Sequence, residues 1–467
     1  RQERDLRARI ARAGSRLDVA FGQVTGSGRP GGADFAGCTG TPTRDGSFEK
    51  ALFTAADSFV VRGIRVARAD PGGSNDPAGG GPVVAGGVEP RETSVLAGYP
   101  WFEEWGRDAF IALPGLCLVT GRFDEARGVI RRFCACLRDG LIPNRIPAPG
   151  RDADYRSADA SLWFVYALWK YLEYTADLDL LSETVDAVMQ IVEAYARGTR
   201  FGIHSTPNGM LWQGDDVAPL TWMDAMVDGR AVTPRVGWAV EMNGLWYNAL
   251  HVAARLTRVL GGRYADAAER YLSAAARMRK SFEWLMWDAE RGVAIDVRGP
   301  DGPDPGLRPN QVICMFLPFP LLTGDKAASA LRAIMEELYT PFGMRTLSPR
   351  DDQYVGRYRG GPAERDSAYH QGTAWPWLTG PLVTAIRRAD GYAEASRSLA
   401  GRLLEPFKRH LCDAGLGTIS ELFDGDPPHE PGGCVSQAWS VGEILRAYVE
   451  DYLEIGPEHA GLEGISG

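Results

Sequence analysis

Long stretches in which apolar residues recur every three to four positions alternate along the chain with polar connections bearing Gly and Pro. The periodic stretches predict helices over about 48–62, 106–120, 123–138, 157–175, 178–197, 239–259, 263–287, 309–321, 325–339, 368–388, 392–411 and 434–454. Strand-like alternation is scarce. The turns TGRFD, TADLD, LGGRYAD, LTGDK and RADGYAE join helices two to three, four to five, six to seven, eight to nine and ten to eleven. Such short links imply antiparallel neighbours. The remaining connections, 63–105, 139–156, 198–238, 288–308, 340–367 and 412–433, are long. Short links on one side and long links on the other predict six helical hairpins. The expected fold is therefore all-α, an (α/α)6 barrel whose long loops share one face. An open solenoid of hairpins is the competing architecture, but its repeats should resemble one another and these do not.

Composition narrows the picture. The 467 residues are 45% apolar, as a large core requires, and 51 basic against 60 acidic residues leave a formal charge of −9. With no basic run, nucleic acid and anionic membranes are poor partners. No segment approaches 18 consecutive apolar residues, and the opening RQERDLRARIARAG is charged and not signal-like. Seven scattered cysteines, an odd number, suit reduced thiols in a cytoplasmic setting. Cys134 and Cys136 would point to different helix faces and have no matching Cys/His pair, so no metal is expected. Residues 71–92 (PGGSNDPAGGGPVVAGGVEPRE) read as a Gly/Pro-rich loop or linker.

The chemistry gathers in the long connections. GYPWFEEWGRDAF, the stretch ending in DASLWF, PLTWMDAMVDG with the following VEMNGLWYN, RPNQ, AYHQGTAWPW and ISELFDGDPPHEPGGCVSQAWS each open an even-numbered helix. Trp, Tyr, Arg, Asp and Asn converging on one face suit a polyhydroxylated ligand: ring faces stack on sugar C–H groups while forked donors and carboxylates bind hydroxyls. Plainer readings stay open for single residues. Asp108 and Asp159 fit helix first turns, Trp163, Trp246 and Trp375 fit core positions, and His370 reads equally as structural. Two carboxylates stand apart. Asp224 lies among Trp222, Met223 and Met226, where desolvation would hold a proton on it. Glu421, about 200 residues later on the last long loop, is either a second acid on the same face or a loop acid capping a backbone N–H. A pair of acids is what glycosidic cleavage uses.

Together GYPWFEEWGRDAFIALPGL, DASLWF, LTWMDA with VTPR, VEMNGLWYNAL, RPNQ, RTLSP, AYHQGTAWPW and ISELFDGDPPHEPGGCVSQAWSV resemble, from about residue 48 to 454, the C-terminal catalytic domain of bacterial and archaeal-type glycogen debranching enzymes, the amylo-α-1,6-glucosidases. The resemblance implies an (α/α)6 barrel that releases α-1,6-linked glucose stubs from branched α-glucans such as glycogen limit dextrin, by inversion and without a cofactor. It makes Asp224 the general acid and Glu421 the general base. It makes Arg107 and Asp108 the grip on the terminal glucose, and Trp105, Asp159, Trp222, Glu241, Asn243, His370 and Gln371 further lining positions. Longer members carry a β-rich domain first, so residues 1–47 are expected to connect from such a domain to a catalytic domain at 48–467. Three departures stand out: Met226 where the family has Lys, Trp238-Ala239 where it often has Lys-Pro, and the long 71–92 loop. They leave both acids in place and bear on the outer subsites. The rival expectations are a glucoamylase- or trehalase-like α-glucosidase acting on another linkage, and a catalytically silent glucan-binding domain.

Overall fold

The computed structural model describes residues 47–64, 92–147, 152–214, 219–415 and 417–462. Most of the expected N-terminal connecting segment and of the 71–92 loop lies outside these residues. Helices dominate: α1 Ser47–Phe59, α2 Gly106–Leu113, α3 Phe123–Ala135, α4 Ala160–Thr175, α5 Leu178–Arg197, α6 Val240–Leu260, α7 Ala265–Leu285, α8 Ile313–Phe316, α9 Gly324–Glu337, α10 Pro362–Ala368, α11 Thr379–Ala389, α12 Glu394–Asp413 and α13 Ala438–Arg446. Each of the twelve predicted stretches carries helix, and the ends move for local reasons. The β-branched pair Val60-Val61 leaves α1 to form a strand, Val60–Ile64, antiparallel to Glu92–Val95. Pro318 and Pro320 stop α8 at Phe316, with Leu317 extended at φ −55°, ψ 154°. The expected helix over 368–388 is interrupted: Gly372 at φ +148° and Pro376 place a turn and a two-residue strand before α11.

Two kinds of helix alternate. Every residue of α2 and α13 is buried, and α4 is buried from Ala160 to Glu173. Such helices are walled by protein all round. By contrast α3, α5, α7, α9 and α12 bury one face only. The buried helices contact one another in sequence order: α2 packs on α4, α4 on α6, α6 on α8, α8 on α11 and α11 on α13, and α13 returns to α2. The one-faced helices pack outside them, α5 and α7 on α6, α9 and α12 on α11.

The α2–α13 contact is a backbone approach. A Cβ on Gly115, in the π-helical turn Pro114–Leu118 that continues α2, would lie 1.7 Å from the Gly442 carbonyl oxygen. Short strands knit the long connections. Gly98–Tyr99 pairs with Ser436–Gln437, and Glu104–Trp105 with Arg145–Ile146. A five-stranded antiparallel sheet runs through Tyr339–Thr340, Gly343–Arg345, Ala374–Trp375, Leu422–Phe423 and Pro431–Gly432. No described helix is long and apolar enough to cross a membrane.

Candidate active site

The first turn of α2 aims Arg107 and Asp108 inward, both buried. Arg107 Nε donates to Asp159 Oδ2 at 2.7 Å and its Nη1 to Asp224 Oδ2 at 3.1 Å. One forked cation thus joins carboxylates from two different long connections. Burial alone would weaken the guanidinium's hold on its proton, but Asp159 and Asp224 outweigh it, and Arg107 stays charged. Asp159 stands at the N-cap of α4 without capping it. Ser157 Oγ accepts from the Ala160 N–H at 3.0 Å and donates to Asp159 Oδ1 at 2.5 Å, which leaves Oδ2 for Arg107.

Asp224 follows Trp222 and Met223, both buried, so two apolar side chains anchor the loop beneath it. Its own side chain keeps 37% of its surface open. Solvent reaches one side and protein packs the others, so burial is the leading influence and raises its pKa, with Arg107 pulling the other way. Glu421 is 3% exposed. Tyr369 donates its hydroxyl to Oε1, and the Cys434 N–H donates to Oε2 at 2.6 Å. Burial pushes this carboxyl up to about 7 against those two donors, and the Asp224 charge adds to the rise. Asp108 accepts from Gln437 Nε2 at 2.9 Å. Burial, opposed by Arg107 and reinforced by Glu421 and Asp224, raises it to about 8. Three acids from three connections therefore feel one another's charge.

The other predicted residues fall into two groups. Trp105 is half-exposed, with the Phe102 ring 6.3 Å away and the Arg145 guanidinium 5.8 Å from its ring centre. Trp222 is buried; its indole donates to Asn310 Oδ1 at 2.7 Å and meets His370, Trp375 and Trp377 edge to face at 5.2–5.3 Å. His370 is fully buried and stacks on Trp375 at 5.2 Å, and neither ring nitrogen has a hydrogen-bond partner in the protein. Burial, then Arg308, Arg107 and Arg235, hold it well below its ordinary pKa, so the imidazole is neutral. Gln371 accepts from Arg308 Nη2 at 2.8 Å and donates to the Val232 carbonyl at 3.1 Å. Glu241 is paired with the buried Arg235, which also donates to Asp296 Oδ2 at 2.9 Å. The Asn243 amide is spent on the Leu211 and Ala239 backbone. Glu241 and Asn243 thus have their polar groups engaged by the protein itself.

Tyr369, Gln437, Arg235, Asp296, Asn310 and Arg308 complete the arrangement without having been singled out in the sequence. Tyr369 and Gln437 sit inside motifs quoted above, but sequence cannot say which neighbour in AYHQG meets an acid. Among the described residues, no cluster of three or more His, Cys, Asp or Glu could hold a metal ion.

Buried acids of raised pKa, an anchored cation and indoles are equipment for proton transfer onto and from a sugar. Known proteins point the same way. A glycogen debranching enzyme of Saccharomyces cerevisiae is 29% identical over 462 aligned residues, covering 76% of this chain and 30% of the relative. The chain thus spans less than a third of that relative's length. The family model described as amylo-alpha-1,6-glucosidase matches residues 54–446. With most of its sequence under that match, the chain belongs to the amylo-alpha-1,6-glucosidase family and is, by that kinship, a glycoside hydrolase.

Proposed function

We propose that this chain is an inverting, exo-acting hydrolase that removes α-1,6-linked glucose from branched α-glucans such as glycogen limit dextrin, on an (α/α)6 barrel. The barrel reading is supported by the order in which the buried helices contact one another, ending with α13 against α2. The observation that carries the chemistry is that two acids from separate connections are each held in place, Asp224 by Arg107 and Glu421 by the Tyr369 hydroxyl and the Cys434 N–H, with the Asp224 charge adding to the rise of the Glu421 pKa.

In this reading Arg107 and Asp108 hold the terminal glucose. Asp224 donates its proton to the glycosidic oxygen as the C–O bond breaks. Glu421 takes a proton from a water whose oxygen bonds to the anomeric carbon from the opposite side, which inverts the configuration. A sugar seated over Asp224 excludes water from its open side and adds to the burial that raises its pKa, against the pull of Arg107. The two hydrogen bonds to Glu421 favour its ionised form, as a base requires.

The test is glucose release, with its anomer followed by NMR, from a phosphorylase limit dextrin trimmed to its stubs, from maltose and from trehalose. β-Glucose from the trimmed dextrin alone is expected. Release mainly from maltose or trehalose moves the assignment to another linkage, α-glucose first excludes inversion, and no release leaves only glucan binding. Asp224→Asn and Glu421→Gln are each expected to cost about 10²–10⁴ in rate; retained activity in either removes that residue from its role.

A further inference from the structure

Glu421 is gripped on both oxygens. Tyr369 hydroxyl donates to Oε1 and the Cys434 N–H donates to Oε2 at 2.6 Å. Behind Oε2 stands Gly433, at φ +68°, where an added Cβ would lie 2.3 Å from that oxygen. The Tyr369 side of the grip is itself fixed. Its backbone carbonyl accepts from Trp375 Nε1 at 3.0 Å and from Thr373 Oγ1 at 2.6 Å, and its ring lies 4.9 Å from Trp375 and 5.7 Å from Tyr358. The same short segment reaches the other acid's loop. Gln371 Nε2 donates to the Val232 carbonyl, and α10, which leads into Tyr369, packs on the Met226–Val227 strand just past Asp224.

We infer that Tyr369 is a positioning residue for the hydrolysis, fixing Glu421 Oε1 opposite the Cys434 N–H so that one direction remains in which the carboxylate accepts a proton from water. Because residues 369–371 also hold the Asp224 loop, this segment sets the spacing between acid and base. The inference rests on the function proposed above, since Tyr369 itself touches no reacting atom. The groups facing Glu421 are Tyr369 and the Cys434 N–H, which donate to it, and Asp224, whose charge repels it. Glu421 in turn acts on Asp108, Tyr358 and the Cys434 thiol. Of these side chains, Tyr369 alone donates a hydrogen bond to the ionised form. A neutral ring in its place removes that preference.

The experiment compares the wild type with Tyr369→Phe on trimmed branched dextrin across pH 4.5–9. The variant is expected to lose about 10- to 100-fold in kcat, within the range for a general base that is no longer well aimed, with KM changed less than about threefold. Its acidic limb, where the base must be ionised, should move up by about one pH unit, because the ionised form has lost a donor. A merely structural role would leave that limb in place. An unmoved limb with near-normal kcat overturns the inference while leaving the proposed function intact. A second measurement needs neither turnover nor the variant: in wild type labelled at tyrosine Cζ, the Tyr369 resonance should titrate with an apparent pKa near 7 and stop titrating in Glu421→Gln. A resonance that ignores pH between 5 and 9 overturns the grip even if the dextrin assay shows no hydrolysis. A titrating resonance in a protein that releases no glucose counts against the proposed function and not against the Tyr369–Glu421 coupling.

Discussion

Asp108 illustrates how a site of this kind works against the stability of its own fold. Its folded pKa of about 8 lies far above the roughly 3.9 of an unfolded Asp. Between those values the folded chain binds a proton that the unfolded chain has released, so stability falls as pH rises from about 4 to about 8. Asparagine cannot ionise and keeps an oxygen for the Gln437 amide. Asp108→Asn is therefore expected to raise Tm, by more at pH 8.5 than at pH 5.5, while activity drops. Calorimetry at the two pH values checks it, and a variant less stable than wild type at pH 8.5 would mean that Arg107 holds Asp108 as an anion. Asp224 has a partner that its neighbours in the sequence do not reveal. The apolar residues beside it do favour a proton, but Arg107, 117 positions upstream, pulls the other way. Periodicity carries no information about such a long-range ion pair, nor about which side chain of AYHQG meets Glu421.

Among the secondary-structure elements, the helices were legible because apolar residues recur every three to four positions along them; that α2, α4 and α13 are buried all round was not, since each also carries charged residues. The strands were not. Most are two or three residues long, too short for a period-2 signal, and their pairing is set by where the helices put their ends. Yet these short strands carry the base. Glu421 directly precedes Leu422–Phe423, which pairs with Pro431–Gly432, and the turn back brings Gly433 and Cys434 against its carboxylate. Gly433→Ala is expected to displace that carboxylate and reduce kcat on the order of 10²-fold, since small misplacements of reacting groups are that costly. The positive φ adds a smaller stability loss, about 1 kcal/mol. Activity and melting measured together separate the two effects. Full activity in the Gly433→Ala variant would mean that Glu421 has room to move and is not clamped.

At the scale of the whole molecule, the meeting of α2 and α13 decides whether the buried helices form a complete circuit. Gly115 and Gly442 let two backbones touch where any side chain would wedge them apart. Gly115→Ala is expected to cost at least about 1–3 kcal/mol, as overpacked contacts do, and to lower Tm by a few degrees. Because Arg107 and Asp108 ride on α2 while Gln437 and Cys434 lead into α13, activity should fall further than stability alone accounts for. Thermal melts and glucose release on the same preparation test both, and an unchanged Tm would show that the contact yields easily. The alternation of short and long connections was readable in the sequence; this point of contact was not, because a glycine in a helical pattern announces no partner.

The pairing of Gly98–Tyr99 with Ser436–Gln437 has a consequence for synthesis on the ribosome. The residues proposed to grip the sugar, Arg107 and Asp108, are made long before the proposed base Glu421 and its clamp at Gly433 and Cys434. Until residues 421–437 have emerged, Asp108 lacks its Gln437 partner and Asp224 lacks the second acid, however well the earlier helices have already packed. If the proposed roles hold, a chain cut before residue 421 is expected to release no glucose, because the last connection has not docked against the first.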